Sequence, residues 1–467
     1  MKNKKGLVIN ILSTILYAAF TFIVVMHHEI WADEAQVWLL SKNLSLFGLF
    51  RHLVEEGHPS LFYLIMMPFA KTGCSVIIMQ VFCWLCSIAA AFLLLQFSPF
   101  SGFEKASIVL SSGFLYFFPV IARSYSMIPV LVFLAAILYK KQKEYPVFYA
   151  VVLALIANTH IIMFAFSAIL GACFVYNNVL KEKVYEKKYL ISAGIISISL
   201  IAVIIQLAVT PFGASCAIKY NLDSILHNIT NTFTQFFGNP FGFSSSVMLV
   251  IISILFLIIF IYIFKKSKSL FTLAVISIGF QFFIYITSYS LNIYPTKSFC
   301  AFLILIFCLW QIDRNKFAKI IICLFFLLSV FQGFRYTVLD LFNNYSSAKE
   351  TAQFIRENLP ADSVFIPLPE PYAIAVMLYL PDRKFWSGTN TTYIKYMKWS
   401  CNKNNSNGSI VFDFKEVKAK HIYFIISVPN PAIEELLKDK IEVLYTSRPS
   451  IAEGEAFKII EYIQSNN

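Results

Sequence analysis

Long apolar runs alternate with short basic clusters through most of the chain, and near residue 345 the pattern changes to short strand-like and helical segments. A membrane-crossing helix needs about 20 apolar residues, more where it tilts and fewer where the bilayer thins. Runs of this kind fall at 7–26, 75–97, 106–120, 126–139, 146–158, 161–177, 189–209, 246–264, 270–290, 298–312 and 318–338, which predicts about 11 transmembrane helices. "SLFYLIMMPFA" is apolar over only 11 residues and reads as a re-entrant or interfacial segment. Before it, "AQVWLLSKNLSLFGLFRHL" scatters polar residues among apolar ones, as in a helix lying on the membrane surface. In the tail, "SSAKETAQFIREN", "EPYAIAVMLYL" and "NPAIEELLKDK" read as helices, and "SVFIPL", "HIYFIISV", "IEVLYTS" and "AFKIIEYI" as strands. Alternating strands and helices predict a small α/β domain over 341–467 behind a membrane domain over 1–340. "NKNNSNGS" (402–409) reads as a polar insertion in that domain.

The basic clusters give the direction of each crossing. Lys2, Lys4 and Lys5 hold the N-terminus on the cytoplasmic side, and "YKKQKEY", "KEKVYEKK" and "KKSKS" fall on the same side. In this topology the cytoplasmic segments carry 17 Lys and Arg and the outer ones 7. Counting 60–71 as a crossing would put 14 of those 17, all but Lys2, Lys4 and Lys5, outside, so the short reading of that segment stands. The first outer loop is then 27–74, a long outer loop covers 210–245, and the tail lies outside the cell membrane. The start looks like a signal peptide but lacks a small-residue cleavage site, which predicts a retained first helix. The long loop reads as a mobile gate.

Composition agrees. Of 467 residues 58% are hydrophobic and only 14% charged, against roughly 25% in a soluble domain. The net charge of +12 arises wholly in residues 1–340, which hold 24 Lys and Arg against 12 Asp and Glu. Such a balance, confined to loops between spans, is topogenic and excludes a nucleic-acid partner. Nine cysteines form no disulfide or zinc pattern, and Cys83 and Cys86 of "CWLC" read as helix packing.

Five of those 12 acidic residues sit in the first outer loop: Glu29, Asp33, Glu34, Glu55 and Glu56. A carboxylate at the edge of hydrocarbon is solvated, paired or employed. Asp33 and Glu34 lie in "WADEAQVW", just past the first helix. The other outer turns bring His58 ("EEGHPSLFYL"), Arg123 and Tyr125 ("PVIARSYSM"), Asn158 and His160 ("ANTHIIMF"), and Tyr294 and Lys297 ("NIYPTKSF"). Each turn thus presents groups suited to proton transfer or phosphate binding, all at one membrane depth.

The order "ADEAQVWLL", "EGHPSLFYL", "ARSYSM", "NTH" after a first hydrophobic helix resembles bacterial GT-C superfamily glycosyltransferases related to protein O-mannosyltransferases and the lipid A aminoarabinose transferase (glycosyltransferase family 39 type). The resemblance is most specific over 28–165, weaker over 190–340 and only architectural in the tail. It implies a GT-C-like fold in the bacterial cytoplasmic membrane. The implied activity is inverting transfer of a sugar from a polyprenyl-phosphate donor to an extracytoplasmic acceptor: a protein, a glycolipid or a cell-envelope polymer. The match gives Asp33 the role of general base.

Inverting transfer needs a base for the acceptor proton and cations for the departing phosphate. Arg123 and Lys297 suit the second role, with His58, His160, Tyr125 and Tyr220 around them. Each has an ordinary alternative: Arg123 snorkelling at a helix end, His160 a helix-terminal hydrogen bond, His58 shaping the turn at Pro59, the tyrosines in the interfacial belt. Glu34 supports Asp33 or binds metal. The family pattern has a second acidic residue in the turn that here reads "ARSYSM", and this chain has none there. A divalent Mg or Mn held by Asp33, Glu34 and His160 therefore stays open beside a metal-independent mechanism. The rival classes are a transporter or flippase of a lipid-linked or small solute, and a non-catalytic envelope-assembly subunit. Carriers keep ionisable groups at mid-membrane, whereas these spans are almost free of them.

Overall fold

An apolar run removed from water must satisfy its own backbone, and a helix does so by pairing each amide with the carbonyl four residues back. The computed structural model describes residues 2–181, 185–208, 222–288, 293–398, 417, 419–428 and 441–462. Among these, seven helices are long and apolar enough to cross a membrane: Lys4–His27, Ile77–Phe97, Ile161–Leu180, Lys187–Leu207, Ser246–Lys266, Lys268–Thr287 and Lys316–Phe342. Tyr220, the polar insertion 402–409 and the helix expected at 430–440 lie outside the described residues.

Surface chemistry says what surrounds these helices. On Ser246–Lys266 the residues Val247, Val250, Ile254, Leu257 and Ile261 are exposed, while Leu249, Ile252, Ile259 and Ile263 are buried on the opposite face. A helix that is apolar all round with one face bare is solvated by lipid, not water. The chain is a helical membrane protein with a small C-terminal sheet.

Among the described residues the expected count of 11 spans is not reached. Ser124–Tyr139, Pro146–Thr159 and Pro295–Trp310 are apolar but shorter. Even Pro295–Trp310, with 16 residues, rises only about 24 Å at 1.5 Å per residue, against a core of about 30 Å. The expected span 106–120 is not one helix: Gly102–Val109 ends, and a π-helical turn follows at Gly113–Phe117. Close packing accounts for the break. The Ser112 hydroxyl donates to the Pro240 carbonyl at 2.6 Å. A Cβ at Gly113 would lie 2.6 Å from the Phe299 ring, and one at Gly333 would lie 2.8 Å from the Ser112 Cα. Gly333→Ala should therefore lower stability by about 1–3 kcal/mol, as overpacking against backbone does. Thermal unfolding of the detergent-solubilised chain checks this, and an unchanged midpoint would remove the close-approach argument. The described part of the long loop also differs from expectation. Leu222–Gly238 is a helix with Phe236 and Phe237 buried, because Leu226, Ile229, Phe233, Phe236 and Phe237 recur with helical spacing.

The chain divides into two compact units, the first comprising 1–25, 56–62 and 77–337 and the second 26–55, 63–76 and 338–467. The second unit thus takes in most of residues 27–74, the segment expected as the first outer loop. Helix α1 (Lys2–His27) is followed by α2 (Ala32–Asn43), α3 (Leu46–Glu56) and α4 (Leu61–Lys71). α4 spans 11 residues around Pro68, about 16 Å and too short to cross. α3 buries Leu49 and Leu53 and bares Leu46, Phe47 and Phe50, with Phe47 79% exposed, as a helix resting on a bilayer surface does.

The tail forms a six-stranded sheet from β1 (Val364–Leu368), β2 (Lys384–Ser387), β3 (Thr392–Ile394), β4 (Ile422–Val428), β5 (Ile441–Thr446) and β6 (Ala456–Tyr462), in the order β3-β2-β1-β4-β6-β5. β1 runs parallel to both β2 and β4 and is buried along its whole length, as a central strand covered on both faces must be. Val364, Ile366 and Leu368 pack with Trp386, Phe424 and Ile460 on one face. Helix Ile374–Tyr379 packs against α2, of which Glu34 through Ser41 are buried. Gln36 locks α2 to the sheet domain: its amide donates to the Met397 carbonyl and its carbonyl accepts from the Met397 amide, both at 2.9 Å.

Candidate functional site

Five of the residues singled out in the sequence meet in the first unit, each set by a helix end. His58 sits in the turn between α3 and α4, where Gly57 has a φ of +67° and Ser60 donates its amide to the Gln206 side chain at 2.9 Å. Arg123 lies in extended backbone directly before the short turn Ser124–Ser126, which carries Tyr125. His160 is the extended residue between helix Pro146–Thr159 and the turn Ile161–Met163. Lys297 is the third residue of helix Pro295–Trp310, its ammonium 5.5 Å from the centre of the Tyr294 ring. Its carbonyl accepts from the Tyr285 hydroxyl at 2.9 Å.

The side chains converge. Arg123 Nη2 lies 3.4 Å from His58 Nε2, the two histidine rings are 4.7 Å apart between centres, and His160 Nε2 lies 2.9 Å from the Tyr125 hydroxyl. His160 is fully buried and Lys297 only 6% exposed. Burial, then the charges of Arg123 and Lys297, hold His58 well below the usual histidine range. Two fixed cations, two imidazoles and a phenol at helix ends form an anion-binding environment, and the N-terminus of Pro295–Trp310 adds its own positive end.

Asp33 and Glu34 belong to the second unit. Both lie in the first turn of α2, where acidic residues suit the helix dipole. Asp33 is half-buried and Glu34 fully buried. Glu34 caps the start of α2, its Oε2 accepting from the Trp31 amide at 3.3 Å, and it lies 3.4 Å from His28 Nε2. His28 Nδ1 donates to Asp340 at 2.7 Å. Glu455 reaches the same end of α2: it accepts from the Ala32 amide at 2.9 Å and from the Ser346 hydroxyl at 2.7 Å. Burial pushes the Glu455 carboxyl up to about 8; the bonds from Ser346 and Ala32 oppose this, and the charges of Asp33 and Glu34 add to it.

The chain matches no family model, no curated protein and no solved structure.

Among the described residues no three His, Cys, Asp or Glu side chains group as metal ligands. Of the trio Asp33, Glu34 and His160, the first two are in the second unit and His160 in the first. His160 already uses both ring nitrogens, Nδ1 accepting from the Ile162 amide at 3.3 Å and Nε2 facing Tyr125. His28, Asp340 and Glu455 were not singled out by sequence reasoning. The signal available for two of them was an ionisable residue at an apolar helix end: His28 after α1, and Asp340 in the helix Val330–Phe342.

Proposed function

We propose that this chain is a GT-C-like, inverting glycosyltransferase of the bacterial cytoplasmic membrane, using a polyprenyl-phosphate-linked sugar and an extracytoplasmic acceptor. The N-terminus is cytoplasmic and the sheet domain extracytoplasmic in this reading. The observation that carries it is the cluster of half-buried His58 and Arg123 with buried Tyr125, His160 and Lys297 at the helix ends of a lipid-solvated unit. A phosphate carried on a lipid arrives where such helix ends are, and a cluster with two fixed positive charges stabilises it as it leaves.

The acceptor oxygen attacks the anomeric carbon, the bond from that carbon to the phosphate oxygen breaks, and the electron pair departs with the polyprenyl phosphate. Asp33 takes the acceptor proton. Arg123 and Lys297 balance the charge that grows on the phosphate, an interaction stronger in the transition state than before it. Glu34, committed to His28 and to the cap of α2, supports Asp33 by fixing its helix.

Mass spectrometry of cell-envelope glycans from a deletion strain tests the reading and reports sugar and acceptor together. The expected result is one missing modification, restored by the intact chain and not by Arg123→Ala. Unchanged glycans with altered solute uptake would replace the transferase by a transporter.

A further inference from the structure

The hydrogen-bond directions within the basic cluster decide which proton each histidine carries. A guanidinium can only donate, so the Arg123 Nη2 contact makes His58 Nε2 the acceptor and leaves the ring proton on Nδ1. That Nδ1 is buried and has no hydrogen-bond partner among the described residues. His160 is fixed the other way. Its Nδ1 accepts from the Ile162 backbone amide at 3.3 Å, so its proton sits on Nε2 and points at the Tyr125 hydroxyl oxygen 2.9 Å away. The hydroxyl oxygen therefore accepts from His160, and the phenol proton is directed away from the imidazole.

We infer that His58 and His160 are locked in opposite neutral tautomers, which makes His58 Nδ1 and the Tyr125 hydroxyl donors alongside Arg123 and Lys297 and fits the cluster to an unprotonated phosphate-ester oxygen. A binding site made only of donors discriminates by what the ligand lacks. A phosphate ester offers several acceptor oxygens, whereas a lipid alcohol brings a proton that would face another donor. His160 is here a positioning residue: it acts through Tyr125, and the Ile162 amide acts through it. The inference extends the transferase reading by naming the ligand's chemistry, and it is tested by binding and by spectroscopy, without transfer.

The first measurement is 15N NMR of the full chain labelled at its seven histidines in detergent micelles, with His58→Asn and His160→Gln used to assign the two signals. The expected result is a proton on Nδ1 of His58 and on Nε2 of His160 at neutral pH. The same tautomer in both rings, or a doubly protonated ring, would overturn the inference. The second measurement titrates undecaprenyl phosphate, undecaprenol and inorganic phosphate against the same preparation. Undecaprenyl phosphate should bind at least tenfold more tightly than undecaprenol, because a hydrogen bond to a charged oxygen is worth about that factor or more. Tyr125→Phe should weaken it about tenfold, and His160→Leu by a similar factor. The double variant should lose no more than either single one, as a relay through one hydroxyl requires. His160→Gln, which keeps a donor near the Nε2 position, should recover most of the loss. Equal binding of undecaprenol, or independent losses that multiply in the double variant, would overturn the proposal. Inorganic phosphate binding as tightly as the lipid would support the donor-only chemistry and assign it to a free anion. Tight lipid-phosphate binding with normal envelope glycans in the deletion strain would leave this inference standing and remove the transferase.

Discussion

Asp33→Asn should reduce transfer about a thousandfold while leaving the chain folded. A positioned general base typically contributes 10²–10⁴-fold, and a thousandfold loss is about 4 kcal/mol of transition-state stabilisation. The substitution keeps volume, shape and a side-chain oxygen in the first turn of α2, so the Glu34 bond to the Trp31 amide and the Gln36 lock to Met397 are untouched. The competing role for Asp33 is a charge complementing the helix dipole. That role predicts a stability loss of about 0.3–1 kcal/mol and no loss of transfer. The modification identified in the deletion strain supplies the activity readout, and thermal unfolding supplies the other. Full modification by the Asn variant would end the assignment of Asp33 as base.

The second large effect is on stability. His28→Leu should destabilise the second unit by about 3–5 kcal/mol, because it strands the buried carboxylates of Asp340 and Glu34 without their counter-charge. His28→Leu combined with Asp340→Leu should recover a good part of this, since apolar replacement of both partners leaves less charge to solvate. The pH dependence follows the same contacts. Burial opposes the charge on His28, but the carboxylates of Asp340 and Glu34 outweigh it and raise its pKa to about 10. A group that holds its proton more tightly when folded adds stability in full below its unfolded pKa, about 6.5, and loses it as pH climbs through about 10. Glu455 behaves alike: its contribution is complete below about 4.5 and vanishes as pH rises through about 8. Stability of the second unit should therefore fall from acid to alkaline pH in two overlapping steps, the upper one missing in His28→Leu. Trp31 lies 6.2 Å from Tyr345, ring to ring, and its fluorescence can follow the loss. A profile that rises with pH would contradict both assignments.

Apolar length made the long helices legible, and α1, Ile77–Phe97 and Ser246–Lys266 stand where the runs predict. The break after Val109 was not legible, because its causes are Phe299 and Gly333, far along the chain. In the tail, β1, β4, β5 and β6 followed their apolar strings, whereas β2 and β3, of four and three residues, are too short to show alternation. Helix 222–238 was passed over because Asn and Thr lie between its aromatic residues and hide the period. Topological counting grouped His58, Arg123, Tyr125, His160 and Lys297, since all of them occupy helix ends on one predicted side. It could not see that α2 would be walled in by Glu455 and Met397, because that pairing has no local trace.

That last feature sets a schedule for the ribosome. The Ala32 amide waits for Glu455, 423 residues later, which at 5–20 residues per second is roughly 20–85 s of synthesis. Through that interval α2 holds Gln36 without Met397 and the Ala32 amide without Glu455. Newly made chain therefore spends most of its translation time with the second unit half built.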